Sequence, residues 1–403
     1  MNLLNHFKMA SRLSRIKPSG IRRLFSLAHD MRGVIDLGIG EPDFVPPPHV
    51  LEAVKQALDD GKTHYTLTTG ISELRELLAK KAKREYGLTY NPEKEVLVTV
   101  GGTQAVFLAL MGLTNPNDEV LVPDPGFVCY QPSALIAGGI PVSMPALEEN
   151  EFKLNADVVM SHVTDRSRIM IVNSPNNPTG AVFSYEDLAS LGKLAVERDL
   201  IVISDEVYER VTYDGVKHYC LAYFPGMRER TLVVGSFSKT YAMTGFRIGY
   251  VFGPEELIAP MMLTHQFSVA CVSGPAQYAA VAALEGPQNC VNEMVAEFDR
   301  RRKLLYGRLN EIEGFGCKLP KGAFYAFANV KEFGESSESL AAFLVNKGKV
   351  VTVPGSAFGK CGEGYLRFSY ATAYDKIEEA LDRIERVTKD FKPKTHASSH
   401  RAQ

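Results

Sequence analysis

Residues 168–205 read RIMIVNSPNNPTGAVFSYEDLASLGKLAVERDLIVISD. A short apolar, β-branched run, Arg168–Val172, ends in a loop of turn residues, Asn173–Gly180. A helical segment follows at Ser184–Arg198, opened by the Ser184…Asp187 capping pair, and a second apolar run, Leu200–Ser204, stops at Asp205. Strand, crossover helix and strand in that order make a parallel pair. The same punctuation runs outward in both directions. Further runs lie at Val96–Val100, Glu119–Pro123, Pro141–Met144, Thr231–Gly235 and Ile248–Phe252, and helical periodicity fills Thr103–Leu113 and Tyr130–Ala137. From about Asn91 to Pro254 the alternation predicts an α/β fold, a mostly parallel sheet with helices on both faces. Ligands of such sheets bind beyond the carboxyl ends of the strands.

After about Glu285 the pattern changes. A charged helix is expected at Glu293–Glu311, a strand at Lys321–Asn329, a helix at Ser339–Lys347, strands at Val350–Val353 and Tyr365–Tyr370, and a closing helix at Ile377–Lys389. This reads as a smaller α+β domain. The expected division is an N-terminal arm over 1–45 joining the small domain, a large domain over 46–285, the rest of the small domain over 286–390, and a polar, disordered tail over 391–403.

Composition bounds the function. The 403 residues suit two or three domains at ~150 residues each. A formal net charge of −2 argues against nucleic acid or a membrane surface as the main partner. The six cysteines form no CxxC pair and the nine histidines no HExxH cluster, so neither a disulfide framework nor a metal site is expected, and reduced thiols suit the cytoplasm. Residues 96–117 and 257–284 lack Asp, Glu, Lys and Arg, but each is interrupted by polar or turn residues, Gly101–Gln104 in the first and Ser273-Gly274-Pro275 in the second. Both are read as strand–loop–helix rather than as membrane spans. The first 29 residues hold six bases and no acid, the flavour of a transit peptide. The competing reading, an ordered arm with a helix at Gly20–Met31, is preferred.

At the strand ends a short set of groups gathers. Gly101-Gly102-Thr103 opens a helix after the Val96 run. Asn173–Gly180, Asp205-Glu206-Val207-Tyr208 and Ser236-Phe237-Ser238-Lys239 follow the next runs, with Arg247 eight residues after Lys239. Each alone has an ordinary explanation as turn, cap or solvated charge. Together on one rim they suit an anion such as a phosphate at a helix start and a Schiff-base lysine opposite an acid.

At these residues the sequence resembles the fold-type-I pyridoxal-phosphate enzymes, specifically the class I aminotransferases of the aspartate/aromatic group. The resemblance runs from about Ser11 to Lys389. It is carried by Leu37–Phe44 (LGIGEPDF), Asn173–Gly180 (NSPNNPTG), Ser204–Tyr208 (SDEVY), Ser236–Gly249 (SFSKTYAMTGFRIG) and Tyr365–Ala371 (YLRFSYA). It implies a transaminase that moves an amino group between an aspartate or aromatic L-amino acid and a 2-oxo acid such as 2-oxoglutarate, by a ping-pong mechanism within amino-acid metabolism. It also leaves about ten residues for a targeting segment, which favours the ordered arm.

The resemblance implies roles residue by residue. Lys239 would carry pyridoxal phosphate and shuttle the substrate Cα proton, Asp205 would pair with the ring nitrogen, and Asn177 and Tyr208 would hydrogen-bond the ring hydroxyl oxygen. Gly101, Gly102, Thr103, Ser236, Ser238 and Arg247 would hold the phosphate. Phe127 stands where relatives place the stacking aromatic, a position many of them fill with Trp, which this chain lacks. Arg367 would take the α-carboxylate, helped by the Gly40 backbone and Asn177. Tyr65 would reach the phosphate of the other subunit of a homodimer.

Rivals are few. Ser236-Phe237-Ser238-Lys239 also spells the SxxK of Ser–Lys hydrolases, but Ser204-Asp205 is followed by Glu206 and Lys239-Thr240 by Tyr241, where that class has SDN and KTG. Lys239-Thr240 lacks the glycines of a P-loop, and nothing marks a DNA-binding domain. A lyase or synthase built on the same apparatus is the alternative within the family. The side-chain specificity stays open, with alanine the least favoured substrate.

Overall fold

The structure, a computed structural model, describes residues 9–16, 31–389 and 391. The expected helix at Gly20–Met31 and the tail beyond Phe391 therefore lie outside the described residues, apart from Met31. The strands are β1 (Ile35–Asp36), β2 (Val96–Thr99), β3 (Glu119–Asp124), β4 (Ile140–Pro145), β5 (Ser167–Asn173), β6 (Ile201–Asp205), β7 (Thr231–Ser236), β8 (Gly249–Phe252), β9 (Gly316–Cys317), β10 (Tyr325–Asn329), β11 (Val350–Val351), β12 (Val353–Pro354) and β13 (Tyr365–Ser369).

Seven of them form the central sheet in the order β2-β8-β7-β6-β5-β3-β4, parallel throughout except for β8. Its strands are apolar on both faces because both are covered. In β3, Val120 and Val122 pack on the helix Gly102–Leu113, while Leu121 points the other way to the helix Tyr185–Glu197. That second helix starts as its sequence indicated. The Asp187 N–H donates to Ser184 Oγ at 3.1 Å and the Ser184 N–H to Asp187 Oδ2 at 2.8 Å.

The remainder packs around a second core with Phe298, Leu305, Leu309, Phe324, Phe368 and Leu381 at its centre. It holds the antiparallel sheet β12-β13-β10-β9 and the helices Asn289–Glu311 and Tyr374–Thr388. β1 runs parallel to β11, so residues just beyond the N-terminal segment join this part.

Several sequence expectations need correction. Residues 257–284 are not strand–loop–helix but fall within two helices, Glu255–Val269 and Gly274–Glu285, because the chain turns out of the first at Ala270, with φ at +65°, before Pro275 opens the second. The strand expected at Lys321 begins at Tyr325, after a turn at Gly322 that lies against Val182 and Pro175. Val350–Val353 splits between two sheets, and the helix expected at Ser339–Lys347 runs over Ser337–Phe343 before a wider π turn at Leu344–Gly348. The helices Pro48–Asp59 and Ser72–Tyr86 were not foreseen. No helix among the described residues is long and apolar enough to cross a membrane.

Candidate active site

The carboxyl ends of β5, β6 and β7 lie side by side. Asn173 stands opposite Asp205 across the β5–β6 ladder, and β7 ends at Ser236, which caps the short helix Phe237–Thr240 carrying Lys239. Beyond these ends lies a cavity of about 260 Å³. Lys239, Asp205, Tyr208, Asn177, Gly102, Thr103, Ser236, Ser238, Arg247, Phe127, Gly40 and Arg367 all reach its wall, although they come from both halves of the chain.

Two predicted residues do not line it. Gly101 sits behind Arg247: with φ at +81° it has no Cβ, and a Cβ there would stand 2.7 Å from Arg247 Nη2. Tyr65 is 90% exposed and does not reach the cavity of its own chain.

At one end the helix start at Gly102 presents backbone N–H groups beside Thr103, Ser236, Ser238 and Arg247, the donor set an anion needs. Arg247 occupies the left-handed region at φ +53° and donates to Thr244 O at 2.9 Å, a strained backbone held where the guanidinium is wanted. On the floor the Asp205 carboxylate accepts from Tyr130 Oη at 2.6 Å and from the Val207 N–H at 3.3 Å. Burial pushes its pKa up to about 6, against the pull of those two donors.

At the other end Arg367 rises from the middle of β13, opposite Phe327 and Val353. Its Nη1 donates to Asn177 Oδ1 at 2.9 Å and its Nη2 to Gly38 O at 2.5 Å, while its buried Nε has no partner. Between the ends Lys239 Nζ donates to Gly40 O at 2.6 Å. Burial lowers its pKa to about 8, with Arg247 and Arg367 pushing the same way and Glu41 opposing.

An amine near its own pKa at neutrality, a buried acid, an anion cradle and a free guanidinium edge converge on one slot. The sequence profile for Aminotransferase class I and II matches residues 32–384. The chain belongs to that family.

Relatives agree along almost its whole length. This aminotransferase is 47% identical over 386 residues to aromatic-amino-acid aminotransferase 2 of Thermococcus litoralis, covering 95% of this chain and 99% of that one. It is 49% identical over 386 residues to an aspartate aminotransferase of Pyrococcus abyssi, with the same coverage. The crystal structure of the aspartate aminotransferase from Rhizobium meliloti superposes with a TM-score of 0.92 at 37% identity, covering 96% of this chain and all of that one, 100%. The chain is a transaminase of the α/β fold that its motifs implied.

The Ser–Lys hydrolase reading also fails on geometry. Ser236 Oγ donates to Ile248 O at 3.3 Å and accepts from the Ser238 N–H, while Lys239 reaches Gly40 instead.

Four wall residues of the aminotransferase lie outside every motif quoted from the sequence. Tyr130 only marks the start of the helix expected at Tyr130–Ala137, yet its hydroxyl serves Asp205. Tyr325 Oη shares a hydrogen bond with Tyr208 Oη at 2.8 Å, and its ring lies 4.3 Å from the Arg367 guanidinium. Phe358 and Val128 complete the apolar walls. Gly-Phe-Val-Cys-Tyr over 126–130 carried the signal for Tyr130, since a tight turn, in which the Tyr130 N–H donates to Phe127 O at 3.1 Å, brings a Tyr three residues on back beside Phe127.

Proposed function

We propose that this transaminase uses pyridoxal 5′-phosphate, and that it prefers an amino acid with a large apolar or aromatic side chain. The observation that carries the cofactor is the pairing of a lysine lowered to about 8 with a buried acid raised to about 6 across one cavity. The residues fit the group. Asp205 lacks any cationic partner among its hydrogen bonds, which a protonated ring nitrogen would supply. Gly102 lines the cavity at a point where a Cβ would stand 2.9 Å from Val207, and Ser236, Ser238, Thr103 and Arg247 would hold the phosphate there.

When bound, the group supplies a carbonyl that captures the substrate amine and an electron-withdrawing ring that stabilises charge at Cα. The chain supplies the rest. Lys239, about a tenth neutral at pH 7 with such a pKa, would take the proton from the substrate Cα and return it to the carbon on the far side of the amine nitrogen. Asp205 keeps positive charge at the ring nitrogen favourable. Tyr208 and Asn177 would hydrogen-bond the ring hydroxyl oxygen, Phe127 would cover the ring face, and the Arg367 fork with the Gly40 backbone would orient the α-carboxylate.

The side-chain reading rests on the walls. Ile39, Phe127, Val128, Tyr325 and Phe358 are apolar or aromatic, and the cations on the wall among the described residues are Lys239, Arg247 and Arg367, each already employed. A second carboxylate, as in aspartate, meets no spare cation there. 2-Oxoglutarate as the acceptor would draw on another subunit for its second carboxylate.

That subunit is a second copy. Tyr65, Leu67, Leu263 and Phe267 are all exposed, and Gly274, seven residues after Phe267, packs against the carbonyls of Lys62 and His64. A homodimer covering them would carry Tyr65 to the neighbouring phosphate. We also take residues 46–285 as the large, cofactor-binding domain and 286–390 with the 1–45 arm as the small one. The six free cysteines favour the cytoplasm.

Purified protein with pyridoxal phosphate should show a visible absorbance band that disappears in Lys239→Ala; a colourless protein unaffected by the cofactor would overturn the assignment. Mixing the loaded enzyme with each of the twenty amino acids should bleach the band fastest with phenylalanine or tyrosine. Aspartate outpacing both would reverse the side-chain reading.

A further inference from the structure

Asp124 ends β3, is buried, and takes no part in the chemistry above. Its carboxylate instead crosses to the segment between β12 and β13. Oδ1 accepts from the Cys361 N–H at 3.0 Å and Oδ2 from the Lys360 N–H at 3.2 Å. Gly359 makes room for it: at φ +136° it has no Cβ, and one placed there would lie 2.0 Å from Asp124 Oδ1. Two residues further on, the Gly126 N–H donates to Phe358 O at 2.9 Å.

These three hydrogen bonds fall within a few residues of both apolar walls. On the β3 side the chain continues directly into Phe127 and Val128; on the other side Phe358 precedes Gly359. The Phe358 ring in turn lies 4.9 Å from the Arg367 guanidinium. A carboxylate that accepts two backbone N–H groups forms charge-assisted bonds in a buried setting, roughly twice as strong as neutral ones. The segment bearing Phe358 belongs by sequence to the part with β12 and β13, but it is fastened here to the strand that leads to Phe127.

We propose that Asp124 is a positioning residue for the substrate slot: it clamps the Phe358 segment to the end of β3 and so sets the gap between Phe127 and Phe358. Its contribution then reaches the substrate through Phe358. Loosening the clamp widens the slot, which weakens the hold on a side chain large enough to touch both rings and leaves a small one little affected. This rests on the transaminase reading of the cavity.

The test is a double-mutant cycle read with two amino acids, phenylalanine and alanine, on Asp124→Ala, Asp124→Asn, Phe358→Ala and the Asp124→Ala/Phe358→Ala double variant. Asp124→Ala should raise KM for phenylalanine about tenfold, with kcat within about twofold and the cofactor band unchanged, and should reduce the preference for phenylalanine over alanine. Asp124→Asn should recover most of the loss, since its carboxamide oxygen still accepts an N–H. The double variant should be no worse than Phe358→Ala alone. Wild-type kinetics in Asp124→Ala, additive effects in the double variant, or loss of the cofactor band together with kcat would each overturn the proposal. A wild-type protein that converts no amino acid would instead remove the transaminase reading, a distinct outcome.

Discussion

Tyr130 Oη lies 2.6 Å from Asp205 Oδ2 and donates to it, so the acid on the cavity floor is held by a phenol from a different layer of the fold. Burial raises the Asp205 pKa to about 6 and the Tyr130 donor restrains that rise. Tyr130→Phe removes the donor and keeps the ring. Asp205 should then bind its proton more tightly, and less of it is ionised to meet a cationic ring nitrogen near neutrality. A hydrogen bond to a charged group is worth about 1.5–3 kcal/mol, so cofactor affinity should fall roughly 10- to 100-fold. The loss should be larger at pH 6.5 than at pH 8.5, where Asp205 is ionised in either protein. Absorbance titration with pyridoxal phosphate at the two pH values measures this, and a pH-independent loss would count against the linkage.

Arg367 offers a second check. Two of its nitrogens are engaged by Asn177 and Gly38, and the buried Nε stands free. Arg367→Lys keeps the charge and loses the fork. KM should rise at least about tenfold for every amino acid accepted, with the band of the loaded enzyme unaltered. A rise confined to one class of side chain would mean that Arg367 reads the side chain rather than the α-carboxylate.

How much of this was legible in the sequence follows from where the information sits. The strands β2 to β8 were legible because each is a short apolar run, most of them buried on both faces, and the rim residues because they follow those runs directly. Ser184 and Asp187 announced their helix by local hydrogen bonding alone. Tyr325 and Phe358 were not legible from local pattern. They face the cavity only because β10 and the loop after β12 fold against the ends of β5 and β6, contacts made across more than a hundred residues. The helices Pro48–Asp59 and Ser72–Tyr86 lie before the first strand of the alternation, where no run of strands marks the gaps that helices fill. Residues 257–284 misled because a run of small and apolar residues fits a buried strand and a buried helix equally well.

Lys239 carries a cost in the cofactor-free protein. Its folded pKa is lowered to about 8 from 10.5, chiefly by burial, so between those values the unfolded chain binds more protons. Stability should therefore rise with pH across that window and be lowest below about pH 8. Lys239→Met removes the buried ammonium and should stabilise the cofactor-free protein at pH 7 by on the order of 2 kcal/mol, allowing for solvent in the cavity. The gain should shrink as pH approaches 10. Thermal unfolding of the two cofactor-free proteins at pH 7 and pH 9.5 decides it, and equal midpoints at pH 7 would show that the lysine carries no such burden.

Tyr65 makes the sharpest test of a shared site. It is 90% exposed and away from its own cavity, so a role at a phosphate requires another copy. Tyr65→Ala should then weaken cofactor binding in every site, while Lys239→Ala abolishes turnover. In a mixed dimer of the two variants, one site combines Lys239 from the first subunit with Tyr65 from the second and is wholly wild type. The other site carries both defects. Random re-pairing makes half the dimers mixed, so refolding equal amounts together should restore about a quarter of wild-type activity at limiting cofactor. Were Tyr65 to act within its own chain, each Lys239-bearing site would still lack it, and activity after mixing would stay at the average of the two separate variants.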